Sequence, residues 1–119
     1  PDSAFVADFL SEANLVDASV EGNVVRAGGL SFSVPFAQIA AGATKLVLRP
    51  DVFSVGAVAG LPSVTGTVLK SAFVGRGAEC EVATPMGELF VFLPRHNALP
   101  QIGSQLTLSF DPNSVTLVR

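Results

Sequence analysis

Chemistry at a protein site needs nucleophiles, acid–base pairs or metal ligands at workable spacing, and this chain offers few. Its one histidine, His96, stands in Pro94-Arg95-His96-Asn97, with no cysteine nearby. A zinc site wants three or four such ligands, so His96 reads as a loop or interface residue. The single cysteine, Cys80, alternates with Glu79 and Glu81, which turns Cys80 and Val82 to one inner face and makes Cys80 a buried, inert thiol. Glu79, Glu81 and Glu88 then share the outer face of one hairpin, where a solvated edge accounts for them. No serine has a histidine at predictable spacing, and no Gly-x-Ser-x-Gly elbow occurs, so nothing supports a nucleophilic triad.

Two arginine motifs remain. Gly75-Arg76-Gly77 has the look of a phosphate loop, but that loop needs Gly-x4-Gly-Lys-Ser/Thr opening into a helix. Here no lysine follows and the pattern continues as a strand. The segment is therefore a hairpin turn, with Arg76 exposed at its tip. In Arg49-Pro50-Asp51, the proline holds Arg49 extended and Asp51 can cap the corner. Arg49 either faces an inter-subunit carboxylate or pairs locally with Asp51.

The elements that carry these residues follow from composition and periodicity. Lysine plus arginine number 7 against 10 acidic residues, for a net charge of -3, and there is no tryptophan or tyrosine. A nucleic-acid surface needs a concentrated basic face and aromatic platforms, so that class is disfavoured. One cysteine excludes an internal disulfide and suits a reducing cytosol. Half the residues are apolar (49%), yet no apolar run approaches the roughly 18 residues of a membrane span. The expectation is a soluble domain, without direct membrane insertion, whose surplus apolar surface meets a partner.

At the start, Pro1-Asp2-Ser3 signals a helix, and Phe5, Val6, Phe9 and Leu10 recur at helical spacing. That predicts a short helix over residues 1–14 whose aromatic face, Phe5 and Phe9, rests on the barrel or on something upstream. The abrupt start without an initiator methionine is expected of a piece of a longer chain. From residue 15 the period changes to two. Strands are predicted at 15–21, 24–27, 30–34, 45–49 and 52–55, with Gly-Asn and Gly-Gly turns between the first three. Residues 57–63 (AVAGLPS) form the best internal boundary. Further strands follow at 64–74, 78–84, 88–93, 105–110 and 114–118.

The halves rhyme. Leu30-Ser-Phe-Ser-Val34-Pro35 matches Leu89-Phe-Val-Phe-Leu93-Pro94, Gly42 answers Gly103, Leu46-Val-Leu48 answers Leu106-Thr-Leu108, and Asp51 answers Asp111. This pattern predicts an internal duplication, residues 15–56 and 64–119, joined by 57–63. The fold class is all-β, an OB-like barrel of two related halves. The run Leu89-Phe-Val-Phe-Leu93 is apolar on both faces, so Phe90 and Phe92 on the outer face mark a seam.

Two stretches then resemble a known family. Pro1, Phe5, Val6, Ala7, Phe9, Leu10 and Asn14 match the Pro-x-x-x-Phe-Val-Ala-x-Phe-Ile/Leu-Gly-x-x-Asn pattern that leaves the ATPase domain of importer-type ABC ATP-binding subunits; Ser11 departs from its glycine. Leu48-Arg49-Pro50-Asp51 resembles that family's Arg-Pro-acid corner. Val64-x-Gly66-x-Val68, Phe73-Val74-Gly75, Gly103 and Phe110-Asp111-Pro112 are similar to the transport-associated OB (TOBE) domain, in the ferric-iron, polyamine and phosphonate branch.

The resemblance implies a non-catalytic regulatory and dimerisation domain at the cytoplasmic face. Its partners would be an upstream ATPase domain, a second copy and, indirectly, a permease. It implies no cofactor in this stretch, since ATP and magnesium belong to the ATPase domain, whose phosphate loop and signature motif are missing here. Some TOBE relatives bind molybdate or tungstate, so a small-oxyanion sensor using Lys70, Ser71 and Arg76 is the alternative reading. A free-standing OB-fold nucleic-acid binder is the remote one.

Overall fold

The computed structural model describes residues 12–95 and 98–119. Among them the regular elements are all β-strands and 3-10 turns. The helix expected over 1–14 falls mostly outside the described residues. Its last positions are not helical, and Asn14 already opens the first strand, β1 (Asn14–Asp17), with Asn14 and Val16 turned inward. The predicted strand 15–21 divides into β1 and β2 (Ser19–Glu21). At the break, the Ala18 N–H donates to the Thr44 carbonyl at 3.0 Å, which passes the chain from one sheet to the next.

Three antiparallel sheets follow. β2, β3 (Val24–Ala27) and β4 (Leu30–Ser33) form a meander in that order, turned by Gly22 in the left-handed region at φ 63°. A second sheet has the order β1-β5-β11, from β5 (Lys45–Leu48) and β11 (Thr116–Val118). The largest has the order β6-β10-β7-β8-β9. Its members are β6 (Ser54–Val55), β7 (Ser63–Val74), β8 (Gly77–Thr84), β9 (Gly87–Pro94) and β10 (Gln105–Ser109).

The stretches 15–56 and 64–119 exchange their closing strands. β5 leads through a 3-10 turn at Pro50–Val52 into β6, which pairs with β10. β10 leads through a 3-10 turn at Pro112–Ser114 into β11, which pairs with β5. Asp111 opens the second corner, its carboxylate accepting from the Asn113 N–H at 2.9 Å, whereas Asp51 lies inside the first turn, after Pro50. The turn at Pro50–Val52 takes up the start of the predicted 52–55 strand, and the ladder forms only over Ser54–Val55.

One core joins the halves. Phe110 meets Phe32 edge-on at 5.3 Å and Phe53 at 6.2 Å, and Leu46, Leu48, Leu108 and Leu117 are fully buried around them. Each such side chain contributes about 1.5–3 kcal/mol by leaving water. The connector after β4 is fastened to the far end of the chain. Gln38 Nε2 donates to the carbonyls of Pro112 and Val115, and Ile39 bridges Leu117 in parallel register.

Among the described residues, the curled sheets meet through a side chain rather than a ladder. Asn14 is 5% exposed. Its Nδ2 donates to the Leu48 carbonyl at 3.0 Å and the Phe90 carbonyl at 2.8 Å, while its Oδ1 accepts from the Phe90 N–H at 2.7 Å. Asn14 thus serves edge strand β9 as a one-residue β-partner and ties it to β1 and β5.

Candidate functional site

The outer face of the β7–β8–β9 hairpins gathers most of the residues singled out by the sequence. Register sets its rows. Glu79 lies between Ala72 on β7 and Phe92 on β9, and Glu81 lies between Lys70 and Phe90. Paired residues in an antiparallel ladder share a face, so Ala72, Glu79, Phe92, Lys70, Glu81 and Phe90 stand together. With Val74 and Ile102, part of this surface lines a largely apolar groove. Phe90 is 36% exposed, and Ile102 is also exposed.

The expectation for Glu79 needs correction. It is only 8% exposed, and its Oε1 has no hydrogen-bond partner. The alternation correctly turned it outward, but β8 is an inner strand of the sheet, not a solvated edge. Its outward neighbours are Ala72 and Phe92, which shield it from water. Burial accordingly pushes the Glu79 carboxyl above the usual carboxylate range. Glu81 is half-buried and pairs with Lys70 at 3.6 Å; Glu88 is exposed.

Phe92 owes its placement to a glycine. A Cβ on Gly77 would lie 2.4 Å from the Phe92 ring and 2.5 Å from the Leu93 carbonyl oxygen, so only glycine lets the ring lie across β8. Arg76 is exposed in the β7–β8 turn. Arg95 braces that turn: its N–H donates to the Arg76 carbonyl at 2.7 Å and its guanidinium to the Gly75 carbonyl at 3.2 Å. The same guanidinium stacks over Phe73, 4.3 Å from the ring centre.

Arg49 and Asp51 lie apart from this face, at the corner before β6, where Arg49 Nε approaches Asp51 Oδ1 at 3.6 Å. The local pairing is the one observed, between two exposed side chains. Phe5, Phe9 and His96 lie outside the described residues. The oxyanion trio does not converge. Lys70 pairs with Glu81 on the outer face, Ser71 accepts from the Cys80 thiol on the opposite face at 3.7 Å, and Arg76 sits on the turn. Cys80 is 1% exposed and burial raises its thiol pKa, which keeps it protonated. Among the described residues no group of three or more His, Cys, Asp or Glu could hold a metal ion, and no helix is long and apolar enough to cross a membrane.

Sequence reasoning missed the bonding role of Asn14 and the burial of Glu79. For Asn14 the signal was its place in the matched Phe-Val-Ala-x-Phe pattern. For Glu79 it was the doubly apolar run on β9, which sets the Phe92 ring beside it.

Comparison with known proteins fits this architecture. The family model described as "TOBE domain" matches residues 46–118. The chain is 34% identical to "Fe(3+) ions import ATP-binding protein FbpC" of Rhizobium etli over 125 residues, covering 99% of this chain and 35% of that protein. Proteins of the same name from Agrobacterium fabrum and Brucella abortus are 33% and 32% identical, over the same shares. The chain thus spans about a third of the length of the relatives it matches (35%). The all-β fold of curled sheets and the family match over residues 46–118, more than half of the chain, lead to one conclusion: the chain belongs to the TOBE domain family.

Proposed function

We propose that this chain is the regulatory and dimerisation domain of the ATP-binding subunit of an ABC importer of the ferric-iron type. One observation carries the reading: the similarity to iron-import ATP-binding proteins runs over 99% of this chain and only 35% of theirs. A stretch that corresponds to one part of such a subunit serves the whole by contact. ATP and magnesium would be handled by the ATPase domain of the same chain, and the permease would be met through that domain at the cytoplasmic face. The contact surface is the outer face of β7–β9, where apolar side chains surround a buried carboxylate. That composition suits a protein partner better than water.

Two measurements test the reading. The purified 119-residue chain should release no phosphate from ATP; turnover would overturn the non-catalytic role. In sedimentation equilibrium it should associate reversibly with itself, and a strict monomer would remove the dimerisation role.

A further inference from the structure

The fold leaves one group on the outer face unanswered. Glu79 is nine-tenths buried, its Oε1 lacks a hydrogen-bond partner, and it lines an apolar groove with Ala72, Val74 and Phe90. A buried carboxylate costs free energy unless a cation or N–H donors meet it. The elements around it supply neither. On β7, Lys70 is paired with Glu81 at 3.6 Å. On β9 the neighbour is Phe92, and on β8 the next outward residue is Glu81. The segment 98–104 that brings Ile102 to the groove contains no charged residue. Arg95 is engaged with Phe73 and the Gly75 carbonyl.

Three residues from Glu79, at the tip of the same hairpin, Arg76 is exposed and forms no ion pair with a described residue. An unmet carboxylate and an exposed guanidinium three residues apart on one hairpin allow that hairpin to be its own complement under two-fold symmetry. In an isologous contact, residue i of one copy meets residue j of the other, and j meets i. Two sheets packed face to face stand roughly 10 Å apart, a gap that a long side chain bridges. Arginine suits the position, since its planar fork gives a carboxylate two hydrogen bonds.

We propose that the β7–β8 hairpins of two copies dock face to face, each Arg76 entering the groove of the other copy to bond the Glu79 carboxylate. The inference rests on the self-association read above and specifies the pair that holds it. The charge-swap design follows from the symmetry. R76E alone and E79K alone each place like charges at both contacts of a homodimer. Mixing the two variants places opposite charges at both contacts of the heterodimer.

The test is sedimentation equilibrium of the 119-residue chain and both variants, alone and mixed, with thermal melts to confirm folding. Each variant alone should dimerise at least tenfold more weakly than wild type, and the mixture should recover to within about threefold. If wild type dimerises and R76E dimerises equally well, the proposed pair is wrong while self-association stands. Arg76 lies in an exposed turn, so that variant keeps its fold. If E79K fails to fold, E79Q takes its place and should also weaken the dimer; an unchanged dimer would overturn the pairing. A wild-type chain monomeric at every concentration would remove both the pair and the reading beneath it.

Discussion

At the residue scale, Asn14 acts as a missing strand. Its amide meets Leu48 and both backbone groups of Phe90. Asn14→Ala should therefore cost about 2–4 kcal/mol in urea unfolding, because it strands polar backbone groups in a part-buried place. Asn14→Asp should cost at least as much at neutral pH, since a carboxylate would face two carbonyl oxygens to which Asn14 donates. Glu79 works in the opposite direction. Burial raises its carboxyl pKa, so just above the ordinary carboxylate range the folded chain holds more protons than the unfolded one. Stability then falls as pH rises through that window and levels off once Glu79 is ionised in both states. Glu79→Gln should remove that slope and raise the stability of dilute, monomeric protein at neutral pH by about 1 kcal/mol. A wild-type pH profile that matches the variant's would refute the burial penalty.

At the element scale, close approach of strands is written in two glycines. A Cβ on Gly66 would lie 2.3 Å from the Ala83 carbonyl oxygen, and one on Gly77 would strike the Phe92 ring and the Leu93 carbonyl. Backbone atoms cannot step aside as a flexible side chain can. Gly66→Ala and Gly77→Ala should each cost about 1–3 kcal/mol by thermal or urea unfolding. A neutral result for either would mean that the hairpins are looser than described. Alternation and turn residues were enough to locate nearly every strand here, because Gly, Pro and Asn punctuate the chain at each reversal. Alternation told which way Glu79 points but not how much water it meets, since exposure depends on which strands flank β8. Nor can local spacing reveal the bonds of Asn14, whose partner Phe90 lies 76 residues away.

At the scale of the whole molecule, the rhyme between the halves was legible as sequence, but its structural form was not. Repeated motifs imply repeated units. Only tertiary pairing shows that β6 of the first half completes the sheet of the second, while β11 of the second completes a sheet of the first. Neither half keeps its own last strand, so the chain should unfold in one cooperative step, with circular dichroism and calorimetry giving the same midpoint. The seam marked by Leu89-Phe-Val-Phe-Leu93 has one face in the common core and the other on the candidate contact surface. The most direct test of that surface is sedimentation equilibrium of the 119-residue chain beside Phe90→Asp, with folding of the variant confirmed by its melt. The predicted result is a concentration-dependent dimer that the substitution weakens at least tenfold. A wild-type monomer throughout, or a folded variant that dimerises as tightly, would contradict the account.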